Sequence, residues 1–411
     1  MEIHGKLVDI HSDTLFAAKV TIEEGIITGI EHNSHRGELF ILPGFVDGYT
    51  HIESTHLPPS AFGRLAVRHG TVAAVSTNQG ILNTLGPSGP EYLLDNARKD
   101  PMKFSFTETY PIYTTLSEAR AAWQKDEPIL ITPSNFTPLL PLLKEDPTRC
   151  LFASDHLRPD YLLLGHINLL VRRAIEQGIE PVHAIRAATL SPTKTHNLNV
   201  GLLREGDPAD LILVQDLSSL RVLETYIQGK LVFKEGPLFP HQTMIPIDKL
   251  AVPLKAPEEF RKKTGQIDLG GDDETPNIIA FISRLPNESP LVKEITGFGL
   301  KKGAIGCSLS HPEYCIACVA TTEEDLAAAV NAIIKAKGGL VLSHKGKTDL
   351  IGLPIAGLFS NLEGEELARR YADLNVAAKN FAPTQESPFL SLQQITQFCD
   401  FDERNNDMNK P

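Results

Sequence analysis

Residues 43–54 read PGFVDGYTHIES, an apolar strand-like run that ends in a Tyr-x-His pair. Side chains two apart on a strand share a face, so a strand-end His-x-His presents two imidazoles to one divalent ion. Here Tyr49 stands where the first imidazole would be. His51 remains, with Glu53 two residues on.

The bulk properties bound the answer. A chain of 411 residues is long enough for two or three domains with a large core. A hydrophobic content of 42% and a charged content of 22% fit an α/β protein that folds in water. The net charge of −12 argues against nucleic acid and anionic membrane as partners and favours a small molecule. No window reaches the roughly 18 consecutive apolar residues of a membrane span. Five scattered cysteines, with no basic-then-apolar leader in MEIHGKLVDIHSD, lead us to expect a reduced, cytoplasmic setting.

Working outward from PGFVDGYTHIES, residues 1–42 alternate apolar and polar with Gly and acidic turns, the pattern of short antiparallel strands. IHGKLVD at 3–9 is echoed by IQGKLVF at 227–233, which predicts a small β-sandwich built from both flanks, 1–42 with 200–236. Between the flanks, strand runs alternate with helical ones: LPGFV, a helix from Ser60 to Gly70, TVAAVST, KFSFTET, PILIT, RCLFASD, then helices at 160–177 and 181–189. That alternation is the signature of parallel α/β structure. A closed (β/α)₈ barrel takes about 250 residues, yet only 147 separate Pro43 from Thr189 inclusive. The expectation is therefore an incomplete (β/α) barrel over 43–199. A Pro-rich linker follows Phe233, then a further α/β domain over 237–400 whose clearest element is the Thr-capped helix in TTEEDLAAAVNAIIKAKGG at 321–339. Residues 401–411 read as a disordered tail.

PGFVDGYTHIES, FASDHLRPD at 152–160 and GLLREGDPADLIL at 201–213 stand in the order of the amidohydrolase (metallo-dependent hydrolase) superfamily. With GHINLLVRRAI (165–175), AIRAATLSPTKTHNL (184–198), GFGLKKGAIGCSLSH (297–311) and LPIAGLFSN (353–361), the chain resembles the adenine deaminases over nearly its whole length. The resemblance implies a divalent metal, manganese or iron, that activates water against the amino-bearing carbon of a purine, as in purine salvage. It also implies residue roles. His51 matches the second histidine of the family's metal-binding pair, Glu53 the glutamate after it, and Asp155 the strand-end aspartate that touches metal and moves protons.

The chain also departs from the family. The first histidine falls on Tyr49, TNQGILNTLG at 77–86 replaces an Asp-Pro-His-Glu run, His156 replaces a second aspartate, and Leu157-Arg158 stands for Arg-His. The family's middle region is missing between FSFTETYPIYTT and LSEARAAWQKDEPILITPSNF, and with it the bridging carboxylate and two histidines. Bland readings remain open beside the functional ones. His51 with Glu53 reads either as a metal ligand and its neighbour or as a pair kept for packing. Asp155 reads either as a catalytic aspartate or as a helix cap. His56, His69, His166, His183 and His196 read as ordinary histidines, and Cys315-Ile-Ala-Cys318 as part of a strand.

Three functions stay in play: an adenine deaminase, an inactive relative that binds purine or a partner protein, and a single-metal amidohydrolase on His51 and Asp155 with His156 or His311 as accessory ligand. Unpaired edges of an open parallel sheet also lead us to expect a homo-oligomer.

Overall fold

The computed structural model describes residues 1–33, 37–270, 275–286, 288–309 and 315–395. Its chain forms two compact units, one of Met1–Thr55, Pro59–Asn78 and Leu94–Gln242, the other of His56–Pro58, Gln79–Leu93 and the chain from Thr243 onward.

In the first unit the strands are β1 (Glu2–Asp9), β2 (Thr14–Glu23), β3 (Ile26–His32), β4 (Phe40–Pro43), β5 (Phe45–Thr50), β6 (Thr71–Thr77), β7 (Lys103–Thr107), β8 (Ile129–Ile131), β9 (Cys150–Phe152), β10 (Leu211–Val214), β11 (Val222–Ile227) and β12 (Lys230–Lys234). The two flanks join in one seven-stranded sheet of order β12-β11-β10-β4-β1-β2-β3. Strand β4 is the seam, parallel to β1 and antiparallel to β10. Its alternation serves two cores: Ile41 packs with Leu7 and Val20 inside the sheet, while Leu42 turns to a second core with Phe45, Ile131 and Phe152. The IHGKLVD and IQGKLVF stretches share letters but not shape. The first is continuous strand; the second contains the Gln228-Gly229 turn, whose φ values of 48° and 70° are those of a tight hairpin.

The remaining five strands are parallel. β5-β6-β7 form one sheet and β8-β9 another, and a bridge from Thr50 to Asp155 connects the two. The spatial order is thus β8-β9-β5-β6-β7. Strands β5 and β6 are buried throughout, whereas every residue of β7 is half-buried, as befits central and edge strands of a covered parallel sheet. The stretch 108–115 then crosses from β7 toward β8, and its Tyr110 and Ile112 pack on Tyr49, Leu130 and Ala153.

Two local expectations are corrected. The helix read over 160–177 is two helices, Pro159–Leu164 and Ile167–Glu176. They are separated because Gly165 and His166 both adopt non-helical backbone, and Leu169 fills the space a side chain at Gly165 would need. Residues Gln79–Leu93, inside the stretch 43–199, belong to the second unit. There Leu85 O accepts from Lys249 Nζ and Tyr92 Oη donates to Ile245 O.

The second unit carries a seven-stranded sheet with Leu291–Thr296, Asn277–Ile282, Ile316–Ala320 and Ala304–Cys307 at its centre. Helix Glu323–Ala336 packs on it through Val330 and Ile333. Thr322 caps that helix by accepting from Asp325 N–H at 3.1 Å, and Lys337, with φ of 64°, ends it before Gly338. Cys318 lies within the strand Ile316–Ala320, and Cys150, Cys307, Cys315 and Cys318 are buried and form no disulfide among the described residues. No helix among the described residues is long and apolar enough to cross a membrane. The 401–411 stretch read as a tail lies outside the described residues.

One buried carboxyl in the first unit sets a pH dependence. Asp100 accepts from Met102 N–H through Oδ1, while Oδ2 is buried with no hydrogen bond among the described residues. Burial pushes its pKa up to about 8, against about 3.9 in an unfolded chain. The sign follows from linkage: this contribution to stability is full below about pH 4 and is lost as pH rises through about 8. Asp100→Asn should therefore flatten the fall in Tm across that window; a fall equal to wild type would contradict it.

Candidate metal centre

His51 leaves the carboxyl end of β5 as the chain enters the short turn Ile52–Thr55, and Asp155 follows the end of β9. Two backbone hydrogen bonds lock them together: His51 N–H to Asp155 O at 2.9 Å and Asp155 N–H to Tyr49 O at 3.1 Å. Asp155 has φ of 55°, the left-handed region that a side chain enters only where its surroundings demand it.

The side chains converge. Asp155 Oδ1 lies 3.9 Å from His51 Nε2 and 4.0 Å from His156 Nε2. The two imidazoles stack with centroids 4.2 Å apart and planes 3° from parallel. Their outward nitrogens are engaged by the same turn: Glu53 Oε1 faces His51 Nδ1 at 3.5 Å, and Ser54 Oγ is 2.9 Å from His156 Nδ1. Ser54 thus holds the His156 ring from behind, the Glu53 carboxylate is an ion-pair neighbour of His51 Nδ1, and both Nε2 atoms lie toward the Asp155 carboxylate.

Charge follows the geometry. Burial works against a cation on His51, but the adjoining Glu53 carboxylate outweighs it and holds the pKa above the ordinary histidine value. Burial likewise works against the Glu53 anion, and His51 more than compensates, keeping that carboxyl low. Burial pushes the Tyr49 phenol up to about 12, so Tyr49 is neutral and no ligand. Its edge packs on His51 at 5.2 Å and on Tyr110 at 5.7 Å.

The donor set fits a metal ion. The ligand atoms of His51, Asp155 and His156 lie within 4.8 Å of one another, and Asp155 Oδ1 is buried without a hydrogen bond among the described residues. Two imidazoles and a carboxylate form a common ligand set for catalytic divalent ions. Side-chain exposure rises from 6% at His51 through 14% at Asp155 to 37% at His156, so solvent reaches the cluster from the His156 side.

Of the residues singled out from sequence, His51, Asp155 and His156 come together, and Glu53 sits behind His51. His311 lies outside the described residues. Asp155 does not cap a helix: the next one begins at Pro159, with Arg158 at its N-cap. His69 is an ordinary half-buried histidine that bonds Leu162 O, and desolvation pulls its pKa down to about 4. His166 is not ordinary, because it bonds Asp47 at 2.9 Å deep in the sheet. Asp47, Ser54 and Ser154 escaped the sequence reading; an aspartate within the apolar run GFVDG was the one visible signal.

Strand ends thus bring two histidines and an aspartate to one point, a donor set of the kind that metal-dependent hydrolases use. The Amidohydrolase family profile matches residues 124–232, and that of the Adenine deaminase C-terminal domain matches 256–399. Adenine deaminases of Salinibacter ruber and Sulfurovum sp. are each 32% identical; the first alignment takes in 96% of this chain and 94% of that relative, the second 95% and 94%. The chain belongs to the adenine deaminase family. The Salinibacter ruber alignment runs over 512 positions, more than the 411 residues here, so that relative has residues without counterpart in this chain. A β-aspartyl dipeptidase structure from Fervidobacterium islandicum aligns with 58% of this chain and 99% of its own at 13% identity and a TM-score of 0.40.

Because Glu53 is what raises His51, Glu53→Gln should lower the His51 pKa in the metal-free protein. Titration of the histidine NMR signals measures it; an unchanged or higher value would refute the assignment.

Proposed function

We propose that this protein is a hydrolytic deaminase of adenine, giving hypoxanthine and ammonia in purine salvage, with one divalent ion held by His51, Asp155 and His156. The observation that carries this reading is the convergence of three ligand atoms beside the 52–55 turn, which bonds His156 through Ser54 and sets the Glu53 carboxylate against His51. Manganese or iron suits a mixed imidazole and carboxylate set. When bound, such an ion makes water acidic enough to serve as nucleophile near neutral pH.

The chain's own residues do the rest. Asp155 is the acceptor placed to take the proton from water and return it to the departing amino group. Glu53 holds His51, and Ser54 holds His156, so that neither ring turns away. The five parallel strands are read as part of a barrel, with 108–115 closing the side where further strands would stand. Among the described residues, strands β7 and β8 each pair on one side only, and we propose that a second copy of the chain covers them. The buried free cysteines accord with a cytoplasmic setting.

A second reading, an inactive purine-binding relative, is favoured by Tyr49 in place of the family's first histidine. Ammonia release from adenine after Mn²⁺ loading separates the two. We expect turnover that His51→Ala and Asp155→Ala each reduce by at least about 10²-fold, the scale on which loss of acid–base groups is felt. No ammonia from metal-loaded wild type would favour the second reading. Sedimentation should show an oligomer, and a cooperative, monodisperse monomer would contradict the edge-covering proposal.

A further inference from the structure

Asp47 is fully buried in the middle of β5, away from the metal-facing atoms, yet it collects several donors. Its Oδ1 accepts from Ser154 N–H at 2.9 Å, and its Oδ2 from Ser154 Oγ at 2.5 Å and His166 Nε2 at 2.9 Å. Behind His166, Thr71 Oγ1 sits 2.7 Å from Nδ1. Ser154 Oγ is also 2.9 Å from Thr50 Oγ1, and Thr50 Oγ1 donates to Asp155 O at 3.3 Å. Both ends of the short segment that sets Asp155 in its left-handed conformation are therefore tied to β5.

We infer that Asp47 and Ser154 form a buried clamp whose task is to position Asp155 for metal binding. The inference rests on the proposed reading of Asp155 as a ligand. A buried carboxylate is costly unless its lone pairs are satisfied, and here two of its bonds are spent on one residue, the neighbour of Asp155. A merely structural ion pair would be served by His166 alone. Asp47 is thus a positioning residue that acts through Ser154 and touches no reacting atom.

The test compares Ser154→Ala and Asp47→Asn with Thr71→Val, which loosens His166 and leaves the Ser154 contacts intact. The measurements are Mn²⁺ affinity by calorimetry, melting of the metal-free protein, and metal-free crystal structures. Ser154→Ala should weaken Mn²⁺ binding about 10- to 100-fold, the usual effect of losing an outer partner, and should also lower melting, since it strips a buried carboxylate of a donor. Its Asp155 carboxylate should move by more than about 0.5 Å, the tolerance of a working site. Thr71→Val should lower melting and keep wild-type affinity. If Asp155 stays in place and affinity is unchanged in Ser154→Ala, the clamp is refuted, even where Asp47→Asn fails to fold. If wild type binds no Mn²⁺, the proposed function fails, and the Asp155 displacement alone still decides the clamp.

Discussion

Two backbone hydrogen bonds between residues 49–51 and Asp155 hold the site together. They extend the parallel pairing from β9 to β5, across a gap of more than a hundred residues in sequence. Without them the chain has a two-stranded and a three-stranded sheet; with them, His51, Asp155 and His156 share one point. Closing so long a loop costs entropy that local propensity cannot repay. The flanking sheet supplies part of the return: β4 and β10 pair directly and so bring the two ends of the parallel region back together.

The departures of this chain from its family are coupled in space. Tyr49, which the resemblance sets on the family's first-histidine position, is fully buried against Tyr110 and Ile112 from the crossing segment, with Leu130 and Ala153 nearby. An aromatic ring fills volume and wants apolar neighbours, whereas a second metal needs more polar ligands. The same side chain that closes the interior thus offers no ligand, and under the proposed reading the cluster beside it takes a single ion. Packing and coordination number are one question at this position.

Much of this was legible in the sequence because it rests on local chemistry. Continuous apolar runs marked β5, β6, β8 and β9, Thr322 announced its helix, and strand-end placement marked His51 and Asp155. What escaped depends on distant partners. Asp47 and Ser154 are 107 residues apart, and neither shows its role without the other. Ser54 looks like any turn serine until His156 is beside it. The break at Gly165-His166 was hidden because both flanking segments are good helix formers, and the interruption comes from tertiary packing. Gln79–Leu93 joins the second unit through bonds to 245–249, which no periodicity records.

The central claim is that this chain holds one ion on His51, Asp155 and His156. Anomalous diffraction from crystals grown with Mn²⁺ tests it most directly. The account predicts a single strong peak per chain, bounded by His51 Nε2, His156 Nε2 and the Asp155 carboxylate. Two peaks at the strand ends, or none there, would contradict it.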